Sequence, residues 1–134
     1  MNPRLLETFD LIPVSKHLGL KLEALDATTC TVVLDPKIEL TQGYGFVQGG
    51  VISALADAAG VCCFLPETPD APGAANVTSI EFKINFLRPV APESGRLVAR
   101  SRVVQRGQKV GVAEVDVVQA GKPIAKGLFT YLLY

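Results

Sequence analysis

Apolar residues recur along this chain with two different periods. From Pro3 to Leu11, Leu5, Leu6, Phe9 and the following Ile12 stand at helical spacing, which predicts a short amphipathic helix. Leu18 to Leu25 and Thr28 to Leu34 read as two strands, the second rich in Thr and Val, and Asp26-Ala27 supplies the tight turn of a hairpin between them. Pro36 to Val47 carries Pro36, Gly43 and Gly45 among the aromatics Tyr44 and Phe46, a loop that feeds the next element. That element, Val47 to Leu65 (VQGGVISALADAAGVCCFL), is apolar on almost every side and stops at Pro66. It carries Gln48 and Asp57, opens on a glycine pair and lacks a basic flank, so it is expected to be a buried helix and not a membrane span.

Beyond it, Pro66, Pro69, Pro72 and Gly73 mark a surface loop. Asn76 to Leu87 then alternates, with Ile80, Phe82, Ile84 and Phe86 on one face and Ser79, Glu81, Lys83 and Asn85 on the other. Gly95 to Gln105, Lys109 to Gln119 and Lys122 to Tyr134 come next as an antiparallel meander, punctuated by Arg106-Gly107 and Ala120-Gly121. A helix apolar all round has to be covered all round. A curved antiparallel sheet wrapped around it does this, so the expected class is α+β with a central helix, in one domain spanning residues 1–134.

The 134 residues, with 49% apolar and 19% charged side chains, can bury a core without metal or disulfide support. Cys30, Cys62 and Cys63 are odd in number, lack CxxC spacing and share the chain with a single histidine, which argues against a disulfide framework or a zinc site. The first residues, MNPRLLETFDLIPV, contain no signal-peptide core, and reduced cytoplasm is the expected compartment. Formal net charge is zero, which argues against nucleic acid or an anionic membrane as partner. The zero conceals an asymmetry. Up to Leu87, Arg4, Lys16, Lys21, Lys37 and Lys83 face ten acidic residues, whereas from Arg88 onward eight basic residues face only Glu93, Glu114 and Asp116.

Within the apolar helix the strongly polar side chains are Ser53 and Asp57, four apart and in line with Gly49. A carboxylate there calls for a partner, a shifted proton affinity or a function. It either pairs across an interface or does chemistry. Gly49-Gly50 weakens the first helical turn by about 1 kcal/mol per glycine relative to alanine, and its bare N–H groups suit an oxyanion. Gly50 and Asp57 are about 10.5 Å apart along one helix axis, too far to meet on one reacting group. Two antiparallel helices across a twofold axis bring the glycine end of one to the Asp of the other, giving two equivalent sites.

The strings GYGFVQGGVISALADAAG and TSIEFKINFLRPV resemble the hotdog-fold acyl-CoA thioesterases of the phenylacetate-degradation (PaaI-like) family. The resemblance runs from HLGLKLEAL at His17 to the final strand. It implies a long central helix wrapped by a curved antiparallel sheet, assembly as a homodimer or a dimer of dimers, and an acyl-CoA substrate with no separate cofactor. Asp57 then takes the position of the catalytic carboxylate, as general base or nucleophile, and Gly49 supplies the N–H that holds the thioester oxygen. Gln42 and Ser79 match residues that orient the carbonyl or the hydrolytic water. By the alternation of its strand, Ser79 is expected to point away from its own core. Gln48 departs from the family, standing where most members carry the His of HGG. An amide can donate a hydrogen bond but cannot shuttle a proton.

His17, the sole histidine, is read as structural or surface, at the start of the first strand. Arg96, Arg100, Arg102 and Arg106 alternate onto one strand face, either a solvated surface or, as the resemblance implies, a dock for coenzyme A phosphates. Arg88, Arg106 and Lys109 are the preferred candidates. Gly50, Tyr44, Phe46, Val47 and Leu55 are candidates for contact with the substrate and its acyl chain. The leading expectation is hydrolysis of an acyl-CoA, aryl or short to medium in chain, to free acid and CoA. The alternative, motivated by Gln48, is a non-catalytic acyl-CoA-binding or regulatory protein. A hydratase or dehydratase on the same fold would want an Asp/His pair near the acyl group, and no histidine is placed for one.

Overall fold

The computed structural model describes residues 2–65 and 76–134; the Pro66, Pro69, Pro72 and Gly73 loop expected from sequence falls outside them. Helix α1 (Pro3–Leu11) starts on an Asn2 side-chain cap and buries Leu5 and Phe9. A second short helix, α2 (Pro13–Leu18), which the periodicity did not reveal, ends on Gly19 in the left-handed conformation. His17 therefore sits exposed in the last turn of a helix, not at the start of the first strand. Strands β1 (Lys21–Leu25) and β2 (Thr29–Leu34) form the expected hairpin. Its turn is held by Asp26, whose carboxylate accepts from the Thr28 and Thr29 N–H groups, each at 2.8 Å.

The central helix α3 (Gly49–Cys62) is followed by strands β3 (Val77–Phe86), β4 (Leu97–Arg106), β5 (Val110–Gln119) and β6 (Lys122–Leu133). All six strands join one antiparallel sheet in the order β1-β2-β4-β5-β6-β3. The meander β4-β5-β6 is as expected, while β3 returns to pair with β6 and forms one edge. A helix wrapped by a single curved antiparallel sheet is the hotdog fold. Ile52, Leu55, Ala56, Ala59 and Cys62 of α3 pack into this sheet against Val32, Leu97, Ala99, Val115 and Phe129, none more than 1% exposed. Burying each large aliphatic side chain contributes roughly 1.5–3 kcal/mol. Ser101, buried in the same core, donates to the Ala59 carbonyl at 2.6 Å.

The covering of α3 is not complete. Gly50 is exposed, and Val51, Ser53, Ala54, Asp57, Ala58 and Val61 are half-buried, so one stripe of the helix stays open. The strand beside that stripe is β3. Of the register shifts in the sheet, those in β3 and β4 decide which side chains of these two strands face the helix. In β3 the register shifts between Ser79, opposite Tyr131, and Glu81, opposite Thr130, leaving Ile80 outside the ladder. In β4 it shifts between Val103, opposite Ala113, and Gln105, opposite Val112. One extra residue reverses the inward-outward phase of everything beyond it. Among the described residues no helix is long and apolar enough to cross a membrane.

Candidate active site

The loop before α3 is tied at both sides of the helix start. The Val47 N–H donates to the Val90 carbonyl at 2.8 Å and the Gln48 N–H to the Leu40 carbonyl at 3.0 Å. Gln48 is the N-cap residue in extended conformation, its side chain makes no capping bond, and it is exposed. Its carbonyl receives the Val51 and Ile52 N–H groups. The N–H groups of Gly49 and Gly50 stand in the first turn, where a helix has no internal acceptor for them. Gly49 is close to a ring: a Cβ there would lie 3.2 Å from Phe86 Cζ.

Gln42 turns back the preceding loop. Its amide oxygen accepts from the Tyr44 N–H, and its own N–H donates to the Phe46 carbonyl at 2.7 Å. The chain reverses at Gly45, with φ +87°. Gln42, Phe46, Gly49, Ile52, Phe86 and Arg88 border a cleft of about 370 Å³, so with Val47 five sequence-predicted residues meet at the helix start. Val47 also borders the cleft but is only 5% exposed. Tyr44 lies outside it on the loop tip, 90% exposed. Leu55 does not border this cleft. It is fully buried in the sheet-facing core.

Asp57 is half-buried on the open stripe of α3. Its Oδ1 accepts from Ser79 Oγ at 2.8 Å and from Tyr131 Oη at 3.1 Å. The Ser79 contact reverses the expectation that this side chain points away from the core. The bulge at Ile80 supplies the reason: Phe82, Ile84 and Phe86 face inward by strict alternation, and the extra residue turns Ser79 inward as well, opposite Tyr131. Phe82 stacks on buried Phe129, ring centroids 5.0 Å apart, while Phe82 and Phe86 stay about half exposed. The inward face of the edge strand is therefore an uncovered apolar strip beside Asp57.

Tyr131 is the site residue that sequence reading missed. It is fully buried, and its hydroxyl also reaches the Asp57 carbonyl at 3.3 Å. Burial first, then the Asp57 charge, push its phenol well above the ordinary range, so it remains a hydrogen-bond donor. A Cβ on Gly60 would collide with the Tyr131 hydroxyl. The glycine within the helix was therefore a legible signal of a close approach. Ser53, the other polar residue of the stripe, bonds back to the Gly49 carbonyl at 2.9 Å.

The basic candidates divide. Arg88 borders the cleft. Arg106 does not share the face of Arg100 and Arg102, because the bulge at Val104 turns it inward. There it donates to the Cys63 carbonyl at 2.7 Å and lies 5.1 Å from the Phe64 ring centroid, at the opposite end of α3 from Gly49. Lys109 is exposed beyond the end of β4. Arg96 pairs with Asp35 at 2.9 Å, and Arg102 with Glu114. Cys30 and Cys63 are buried and make poor nucleophiles. Hydrogen bonding to Cys62, followed by burial, pushes the Cys30 thiol up, and burial pushes up that of Cys63. Among the described residues no group of His, Cys, Asp and Glu is arranged to hold a metal ion.

Comparison with known proteins agrees with this architecture. A thioesterase family protein from Silicibacter pomeroyi superposes with a TM-score of 0.80 at 27% identity, over 95% of this chain and 93% of that one. A candidate thioesterase from Ralstonia eutropha, related to phenylacetic acid degradation, gives 0.81 at 26% identity and 97% of both chains. A candidate esterase from Halobacterium salinarum is 42% identical over 76 residues, 57% of this chain and 48% of that protein, so the match spans about half of that relative's length. Residues 44–125, from the Gln42 loop through Gly49, Asp57 and Ser79 into the last strand, match the Thioesterase superfamily. On that match over more than half its length, joined to the hotdog architecture, the chain belongs to the Thioesterase superfamily.

Proposed function

We propose that this protein hydrolyses acyl-CoA thioesters to a free carboxylic acid and coenzyme A, with Asp57 as the general base. The observation that carries the proposal is the placement of Asp57: a single carboxylate on an otherwise apolar helix, gripped by two hydroxyl donors and facing an uncovered apolar strip. In this mechanism the carboxylate takes a proton from water as the water oxygen attacks the thioester carbonyl. The tetrahedral oxyanion is held by the Gly49 N–H, supported by the amides of Gln42 and Gln48. Collapse breaks the C–S bond, and the proton on Asp57 passes to the departing sulfur. Gln48, unable to exchange a proton at neutral pH, leaves the acid-base work to Asp57.

The Gly49 end and the Asp57 of one helix are separated by more than one reacting group can span. The working site is accordingly built from two copies, the open stripe of α3 and the edge strand β3 facing those of a second chain. Half-exposed Phe82, Phe86 and Leu87 support that arrangement. Within it the acyl chain lies along the Phe46 and Phe86 side of the cleft, and Arg88 at its border receives the anionic part of coenzyme A.

Thiol release from a panel of aryl, short and medium acyl-CoAs, measured for wild type and Asp57→Ala, tests the reading. Turnover by wild type and its loss in the variant are expected. Binding of acyl-CoA without turnover by wild type would establish the non-catalytic alternative that Gln48 motivates.

A further inference from the structure

We infer that Tyr131 is a positioning residue for the reaction: together with Ser79 it locks Asp57 through Oδ1 and leaves Oδ2 as the oxygen that meets water. The inference rests on the thioesterase reading of Asp57 and adds to it which atom acts and what holds it. Both hydroxyls reach the same oxygen, at 2.8 Å from Ser79 and 3.1 Å from Tyr131. Among the described residues no donor reaches Oδ2. An ionised carboxylate with one oxygen doubly bonded has its plane and rotamer fixed, which is how a base is held within reach of one water.

The two donors come from different constraints. Ser79 arrives from an exposed edge strand and depends on the bulge at Ile80. Tyr131 comes from the interior. Its ring lies 5.4 Å, centroid to centroid, from that of Phe64, and its hydroxyl occupies the space that a side chain at residue 60 would fill. Tyr131 is thus the rigid member of the pair, and its high proton affinity makes it a donor throughout the working pH range. It has no exposed surface and reaches the substrate only through Asp57.

The test compares wild type, Tyr131→Phe, Ser79→Ala and the double variant in steady-state acyl-CoA hydrolysis, with crystal structures of wild type and Tyr131→Phe. Phe keeps the ring and its packing, so the fold is retained. The expected result is a kcat lowered about tenfold or more in Tyr131→Phe, with KM within about twofold. The double variant is expected to depart from additivity because both hydroxyls serve one oxygen. The crystal structure of Tyr131→Phe is expected to show Asp57 in a changed or divided rotamer. Unchanged kcat with an unmoved Asp57 would overturn the positioning role. Full activity in Asp57→Ala would instead overturn the thioesterase mechanism itself, so the two failures are distinguishable.

Discussion

Alanine in place of Gly60 probes the packing that places Tyr131 beside Asp57. In an open helix this substitution stabilises by about 1 kcal/mol, because alanine loses less backbone freedom on folding. Here the new Cβ would collide with the Tyr131 hydroxyl and stand 3.1 Å from Cζ of the same ring. A surface tyrosine would swing aside, but this one has no exposed area and packs against Phe64. Overpacking of a core costs about 1–3 kcal/mol. Set against the helix gain, Gly60→Ala is expected to destabilise wild type by up to about 2 kcal/mol. In a Tyr131→Phe background the colliding oxygen is gone, and only the 3.1 Å ring contact has to give by a few tenths of an ångström. There the same substitution is expected to be neutral or stabilising, a coupling of about 1–2 kcal/mol between the two positions. Urea unfolding of the four proteins at one pH measures this. Equal stabilisation by Gly60→Ala in both backgrounds would show that the hydroxyl does not occupy that space.

The helix start and the hairpin give two further expectations. Gly49→Pro deletes the N–H assigned to the oxyanion while suiting the first helical position, and Gln48, at ψ 139°, already has the extended backbone that precedes proline. The half-exposed Phe86 ring can yield a few tenths of an ångström, so the melting temperature should change little while kcat falls roughly 10²–10³-fold; an unchanged kcat would remove Gly49 from the mechanism. The Thr28 N–H, then the Thr29 hydroxyl, hold the Asp26 carboxyl down to about 2 from an ordinary 3.8. Its contribution to stability is therefore complete above about pH 4 and lost as pH falls through about 2. Urea midpoints of Asp26→Asn are expected to lie below wild type at neutral pH and to depend less on pH in that acid window, and parallel curves for the two proteins would contradict it.

Much of this molecule was legible in its sequence, for identifiable reasons. The hairpin, the central helix and the meander carry strong periodicity and turn residues, and each lies within a few residues of its expected bounds. Asp57 was conspicuous because a carboxylate is out of place among alanines and leucines. What misled was alternation carried through a bulge. Strict period-two reading put Ser79 outward and Arg106 outward, yet one unpaired residue in each strand turned both inward. Nothing in a string of letters marks Ile80 or Val104 as the extra residue, since the shift is settled by how β3 fits β6 and β4 fits β5. The helix Pro13–Leu18 was hidden for another reason: six residues are too few to show a 3.6-residue period. Tyr131 carries no signal of its own in the string of letters, and its hydroxyl acquired meaning only when β6 was seen beside Gly60 and Asp57.

Mixing two inactive proteins tests the central claim, an Asp57 base and a Gly49 oxyanion donor contributed by different chains. Asp57→Ala and Gly49→Pro are unfolded together and refolded in equal amounts, and acyl-CoA hydrolysis is assayed. Random pairing makes about half of the dimers mixed, and each mixed dimer holds one site with both residues intact and one with neither. Recovery of about a quarter of wild-type activity is therefore predicted from two preparations that show almost none alone. If the mixture stays as inactive as its components, each site draws both residues from a single chain, and a site shared between two chains is refuted.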